Sequence, residues 1–460
     1  MIDKEKNTPE QQSLHEQLFR DSDLGHAEQL IEEHGRDFLY CPELGGWWAW
    51  TGVRWEQDTS GEVYRRTYTL LKYNLLCAAE THNTQAAKKI VEAMKANRIE
   101  SILRNASKQE QVRVKAESFD ADPYLFNCIN GTIDLRSGQL RGHNRNDLIT
   151  KLASVEYVEN APADEWGKFL ERILPDDELR AFVQRAVGYS MTGDTSEQCM
   201  FINHGSTGSN GKSTFMEAMH AALGDYAMHT PVDTLMIRRG GIPNDVARLK
   251  GQRFVTASES EEGQRLAESK VKEMTGQDTI AARFMRGEWF DFKPTHKLWL
   301  STNHKPKIRG TEDAIWRRIR LIPFDVTIPK AEQDRKLPER LRDELPGILA
   351  WAVRGSIQWR QDDGLKAPTK VRKATASYRS QMDVLAGFIV DECVEHPDAK
   401  VGLGRLYEVY KTWASDAGEF VKDKREFESN IEERGKYDKR RSGSNGSRQW
   451  HGIGLKRTEN

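Results

Sequence analysis

The sequence predicts an α/β chain in which a phosphate-loop core stands between an α+β N-terminal domain and a C-terminal winged-helix domain. Three observations carry this. Met200 to Leu223 reads MFINHGSTGSNGKSTFMEAMHAAL: a short apolar run, a glycine-rich loop, then an amphipathic segment with apolar residues at Phe215, Met216, Met219 and Leu223. Two further short apolar runs, Arg253–Ala257 and Lys297–Thr302, end on acidic residues and on Asn303, as buried strands of one sheet would. After a linker-like composition at Asp362–Thr369 come three helical stretches and a basic turn rich in glycine and serine, Lys436–Arg448. That order is a winged-helix pattern. A solvated helical cap is the other reading of the same charges.

Composition bounds what these parts can do. At 460 residues the chain holds about two to four domains, each able to bury a core. Its formal net charge is −1 and its pI about 6.9, so a nucleic-acid partner must be met by local patches, since no global basic field exists. Five cysteines at 41, 77, 128, 199 and 393 are scattered and never in C-x-x-C spacing, which argues against a disulfide framework and against a zinc ribbon. The first residues are charged, and no apolar run approaches membrane-spanning length. A cytoplasmic protein without a membrane partner is expected.

In chain order, residues 1–35 are polar. Residues 36–165 form the expected N-terminal domain. Within it, Phe38–Trp55 crowds aromatics around Gly45, Gly46 and Gly52, the mark of short strands and tight turns. These tryptophans are read as the core of a small β unit, with a base-stacking platform as the alternative. Val63–Ser118 is helical with interspersed Lys and Arg, a solvated face or a basic entrance for DNA. Phe126–Leu140 alternates around Ser137-Gly138 as a hairpin does. Residues 166–330 form the core, which begins with a helix over Trp166–Met191. A helical extension and linker fill 331–365, and residues 366–460 form the last domain, with helices expected at Met382–Glu395, Gly404–Ser415 and Lys424–Arg434.

The loop is where chemistry concentrates. Gly208 and Gly211 are expected at positive φ, letting the backbone N–H groups of Gly205, Gly208, Ser209, Asn210, Gly211 and Thr214 close around phosphates at a helix N-terminus. Lys212 adds a point charge and the Ser213 hydroxyl a Mg²⁺ ligand, so ATP with Mg²⁺ is the expected pair. One departure stands out. The strict pattern G-x-x-x-x-G-K-[ST] places glycine where this chain has Ser206, with glycines at 205 and 208. The entrance to the loop is therefore expected to differ, with Lys212 and Ser213 in place.

The ordered series GSNGKST, PNDVARLKGQRFVTASE, KEMTGQDTIAAR, KLWLSTNHKP and AIWRRIRLIPF resembles the superfamily 3 (AAA+) helicases of phages, plasmids and poxviruses. More narrowly, the chain resembles the helicase portion of the phage/plasmid primase–helicase family. LFNCINGTIDLRSG is similar to that family's N-terminal collar domain, and YEVYKTW with RQWHGIGLK to its winged-helix end. The resemblance covers most of the chain from about residue 35 onward.

It implies a role for each matching residue. Lys212 and Ser213 hold phosphate and metal; Glu259 is the Walker B acid and metal ligand, with Glu261 and Glu262 as competitors. Asn303 is the sensor that faces the γ-phosphate or lytic water. Arg318, with Arg317 as the alternative, is the arginine finger reaching a neighbouring subunit. Arg283–Phe292 carries a hairpin that grips single-stranded DNA, with Arg286 at its turn and Lys270 and Lys272 as further contacts; an ordinary edge hairpin is the alternative. Lys439, Arg440 and Arg441 are the basic residues of the wing. The implied activity is an ATP-driven replicative DNA helicase, a homo-hexameric ring moving 3′ to 5′ on single-stranded or forked DNA in a bacterial host. The other class of function is an ATP-switched initiator or scaffold with negligible unwinding. No metal-binding carboxylate pair on a strand precedes the core, so priming would come from a separate primase if it occurs.

Overall fold

The computed structural model describes residues 21–237, 244–258, 263–285, 288–310, 312–442 and 447–456. The first helix, α1 (Asp23–His34), starts where the Ser22 hydroxyl accepts from Gly25 N–H, satisfying one of the unpaired amides of its first turn. Strands β1 (Phe38–Cys41), β2 (Gly46–Trp50) and β3 (Trp55–Gln57) form an antiparallel meander. Trp48 packs on Phe119 at 4.8 Å and Trp50 on Trp55 at 5.7 Å, which is the core role expected of the tryptophan cluster. Helices α2 (Glu62–Glu80), α3 (Thr84–Ala93) and α4 (Ala96–Ala106) then bury Leu70, Leu71, Ile99 and Ile102 against α1.

A second meander follows, β4 (Leu125–Cys128), β5 (Gly131–Asp134) and β6 (Gln139–Arg141), with its tight turn at the expected Ser137-Gly138. Its inward residues Phe126 and Ile133 share one core with α5 (Asp164–Ile173), α6 (Asp177–Met191) and the central sheet. Packing therefore runs across the division expected at residue 165.

The central sheet is built from β7 (Met200–His204), α7 (Lys212–Leu223), β8 (Ala227–His229), α8 (Asn244–Ala247), β9 (Phe254–Ser258), α9 (Glu268–Met274), the hairpin β10 (Ile280–Arg283) and β11 (Trp289–Phe292), β12 (Lys297–Thr302), α10 (Asp313–Trp316) and β13 (Ile319–Pro323). Five strands pair in parallel in the order β13-β7-β12-β9-β8. Strand period two divides their side chains between two covered faces. Phe201, Phe254 and Trp299 enter one core, and Ile202, Val255, Leu298 and Leu300 the other. Because both of their faces are buried, β7, β9 and β12 read as short apolar runs, which is why they were visible in the sequence, whereas the edge strand β8 (AMH) carries no such run. Trp299 is the centre of the first face, stacked on Phe201 at 4.3 Å with its indole N–H donated to Ser190 Oγ at 3.0 Å.

Beyond the sheet lie α11 (Leu337–Asp343), α12 (Leu345–Gln361) and α13 (Thr369–Met382). Helices α6 and α12 cross with backbones touching: a Cβ on Gly188 would stand 1.9 Å from Ser356 N, and one on Gly355 2.0 Å from Gln184 O. We expect Gly188→Ala to destabilise the chain by about 1–3 kcal/mol through forced separation of the two helices, read as a lower denaturant midpoint; an unchanged midpoint would show that the crossing can open freely.

The last unit has its own core, beginning at Leu385. Its elements are α14 (Val384–Glu392), β14 (Cys393–Gly402), α15 (Leu403–Asp416), α16 (Lys424–Glu433), β15 (Asp438–Ser442) and β16 (Ser447–Leu455), with sheet order β14-β16-β15. Two expectations change here. The helix expected over Met382–Glu395 stops at Glu392, and the next ten residues form β14, whose partner β16 lies some fifty residues later and so left no local signal. Tyr378 of α13 is buried in the core of the sheet, so that helix packs with the core rather than with the last unit, where the expected boundary at 366 would place it. No described helix is long and apolar enough to cross a membrane.

Candidate phosphate-binding cleft

At the C-terminal edge of the sheet the tips of β7, β9 and β12 meet the start of α7 and open into a cleft of about 790 Å³. Gly211 adopts φ +81° immediately before α7. The second left-handed residue of the loop is Ser209 (φ +56°), whereas Gly208, expected there, is not left-handed, and a Cβ added to it would meet nothing within 4 Å. Gly205 is glycine for another reason: a Cβ would lie 2.3 Å from Asn210 Nδ2 and 2.6 Å from Phe324 O. The displaced glycine is thus a point of close approach, where the loop passes between the end of β13 and the Asn210 amide, which itself donates to Thr207 O at 2.6 Å.

Lys212 is only 6% exposed. Its ammonium donates to Asn303 Oδ1 at 2.8 Å, Asn210 Oδ1 at 2.9 Å and Gly205 O at 3.5 Å. Register explains the first contact: Thr302 of β12 pairs with His204 of β7, so Asn303 stands beside the first residue of the loop. Burial pushes the lysine down to about 8, and none of its three acceptors is a carboxylate. A buried ammonium held only by neutral oxygens, beside the free N–H groups of a helix start, suits a phosphate. Ser213 and Thr214 also line the cleft, with Ser213 an exposed residue, so the loop fits the Mg²⁺ nucleotide expected of it. The acids Glu259, Glu261 and Glu262 lie outside the described residues; β9 leads to them through Ser258, which lines the cleft.

Several lining residues had not been singled out. Glu217 and His220 follow Ser213 at helical spacing on the cleft side of α7, a signal the period of 3.6 did offer. His220 Nε2 lies 2.6 Å from Thr256 Oγ1, and His229 Nδ1 3.3 Å from the same oxygen, tying α7 and β8 to β9. Burial, with His229 nearby, pushes His220 down to about 4. Pro338, Leu341 and Arg342 of α11 and Leu345 of α12 close the far wall. Nothing local in their sequence announces that position.

The two arginines are not in this cleft. Both precede β13, whose first residue Ile319 pairs with Met200, at the opposite end of the parallel sheet from the loop. Five residues at about 3.3 Å each put them roughly 16 Å from their own chain's phosphate loop. Arg318 is 8% exposed, with Nε donating to Thr275 Oγ1 at 3.1 Å and Nη1 to Ala314 O at 2.7 Å. Arg317 is exposed, with one long contact of 3.4 Å to Gln198 Oε1. Arg317 and Arg318 form the turn between α10 and β13.

The β10–β11 hairpin forms as expected, with Arg283 paired to Trp289. Its turn residue Arg286 lies outside the described residues. The flanking tip is aromatic and exposed, with Phe284 at 47% and Trp289 at 58%, and the Arg283 guanidinium lies over the Trp289 ring at 5.1 Å. On α9, Lys270 is half-buried, and Lys272 is engaged with Glu312 at 2.8 Å, which takes up the charge expected to meet DNA. In the last unit, Lys439 is similarly gripped by Glu428 and Glu432, and Arg440 by Asp438, while Arg441 is exposed.

A family model described as D5 N terminal like matches residues 27–175, and one described as a family of unknown function (DUF5906) matches residues 203–318. A protein of Acanthamoeba polyphaga mimivirus, provisionally named a helicase, is 30% identical over 324 residues, covering 64% of this chain and 33% of the relative. One of African swine fever virus, provisionally named a primase, is 24% identical over 394 residues, covering 77% and 41%. This chain thus spans roughly a third to two fifths of these relatives. Both come from large DNA viruses, and neither lends support to the bacterial host expected from the sequence. Among solved structures, the apo NrS-1 C-terminal region is 10% identical with a TM-score of 0.46, covering 77% of this chain and 89% of that one.

Proposed function

Because this chain belongs to the primase–helicase family whose D5 N-terminal-like domain it carries, we propose that it is an ATP-driven DNA helicase of replication. The single observation behind this is the Lys212–Asn303 contact, which joins the phosphate loop to the tip of the neighbouring strand at one cleft. In that arrangement Lys212 and the α7 amides bind the β- and γ-phosphates, and Lys212 stabilises charge gathering on the γ-phosphoryl oxygens. The Asn303 amide keeps its N–H donors for the γ-phosphate or the attacking water. Mg²⁺, held by Ser213 and Glu259, would neutralise phosphate charge.

The far placement of the arginines supports a ring of like subunits, with six as the expected number. Since Arg317 and Arg318 cannot reach their own cleft, either of them acting as the finger would serve a neighbour's cleft, and the exposed Arg317 is the better placed of the two. The aromatic hairpin tip suits single-stranded DNA, because bases stack on aromatic faces regardless of sequence. The α14-β14-α15-α16-β15-β16 order supports a winged helix, and the N-terminal helices and meanders a collar. A primase would act beside this core, on the same or another chain.

A forked duplex tests the activity. With ATP, strand release is expected only from forks bearing a 3′ loading tail. ATPase stimulated by single-stranded DNA, without release at either polarity, would leave the chain an ATP-switched initiator instead.

A further inference from the structure

In the C-terminal unit, charge is not where a groove-reading helix needs it. Helix α16, the second of the two consecutive helices, sets Lys424 and Arg425 against Glu426, Glu428, Glu432 and Glu433. Four carboxylates on one short helix are repelled by a phosphate backbone. On the adjoining ribbon, Lys439 is spent on Glu428 at 2.8 Å and Glu432 at 3.1 Å, and it also lies 5.5 Å over the Trp450 ring. Arg440 is held by Asp438 at 2.6 Å. The ribbon's other two arginines are differently placed. Arg441 on β15 and Arg448 on β16 are registered directly opposite each other, and both are exposed. Among the described residues neither has an ion-pair or side-chain hydrogen-bond partner.

Directly opposed side chains stand about 4.5–5.5 Å apart at Cβ, a separation at which like charges destabilise a strand pair. Two guanidinium forks so placed become favourable once an anion lies between them. We infer that Arg441 and Arg448 clamp the phosphate backbone of duplex DNA, so that the C-terminal unit holds DNA through its β15–β16 ribbon, without reading sequence, and not through α16. The inference rests on the reading of the chain as a DNA helicase. A duplex fits better than a single strand because the ribbon offers charge without a stacking surface: Trp450, the aromatic residue nearest the clamp in register, is fully buried. The exposed aromatics Phe284 and Trp289 belong to the β10–β11 hairpin, and Phe420, exposed in the C-terminal unit, lies in the α15–α16 connection under the Arg309 guanidinium and not on the ribbon.

The test measures binding of a labelled mixed-sequence duplex and of a single strand of equal length to the full chain, by fluorescence anisotropy across a salt series. For the double variant Arg441→Ala/Arg448→Ala, duplex Kd is expected to rise about tenfold at moderate salt, and the slope of log K against log salt to fall by about 2. Single-strand binding should stay within about twofold, and Arg441→Lys/Arg448→Lys should recover part of the loss. Lys424→Ala/Arg425→Ala is expected to leave duplex binding unchanged. Unaltered duplex affinity and slope in the ribbon variant overturns the inference, as does a loss confined to single strands or a larger loss from the α16 variant. Thermal midpoints check that each variant is folded. Loss of duplex affinity alongside a wild type that never displaces a strand would retain the clamp and reject the helicase; unwinding by wild type with unaltered duplex binding in the variant would reject the clamp alone.

Discussion

Alanine at Lys212 is expected to lower ATP hydrolysis by about 10³-fold or more. The ammonium is the buried positive charge at the loop, and its removal leaves Asn210, Asn303 and Gly205 O without their shared donor. Binding should weaken too, because the α7 amides alone must then hold the phosphates. A pH dependence accompanies this. Burial sets the lysine at about 8 before nucleotide binds, and a bound phosphate raises it by supplying the missing opposite charge. Nucleotide affinity should therefore be flat below about pH 8 and fall as pH rises above it, where binding requires uptake of a proton. Titration of nucleotide into wild type between about pH 6.5 and about 9.5 reads this directly. Wild-type turnover in Lys212→Ala, or affinity that climbs with pH, would contradict the assignment.

On the proposed ring arrangement, Arg317→Ala is expected to reduce hydrolysis by about 10³- to 10⁵-fold while nucleotide affinity changes little, because the arginine would act on a neighbour's γ-phosphoryl group. Arg318→Ala should behave differently. Its guanidinium is buried and bonded to Thr275 and Ala314 within its own chain, so truncation leaves an acceptor unpaired and destabilises by about 1–3 kcal/mol. Mixing separates the two roles. Lys212→Ala and Arg317→Ala subunits, each nearly inactive, should regain part of the ATPase when combined, because some interfaces then pair an intact loop with an intact arginine. Failure to complement, together with loss of hydrolysis in a normally melting Arg318→Ala, would return the role to Arg318.

Much of the cleft was legible because its signals are local. A helix start with free N–H groups, a lysine and a hydroxyl after a glycine, and a strand apolar on both faces are each written within a few consecutive residues. The loop's backbone was less so: Ser209 takes the left-handed turn expected of Gly208, and Gly205 is fixed by Phe324, more than a hundred residues away. The wing was legible as a basic turn, but the acids that consume Lys439 and Lys272 come from other elements.

By itself the sequence determined the α/β class, three of the five strands of the central sheet (β7, β9 and β12) and the loop with Lys212 and Ser213, since short-range periodicity and backbone sterics decide these. Only the tertiary structure decided that Asn303 meets Lys212, that α11 closes the cleft, and that Arg318 is buried while Arg317 is exposed. Each of those depends on strand order and register. A parallel sheet brings distant segments edge to edge, and the burial that results sets which charges are already paired and which remain for a ligand.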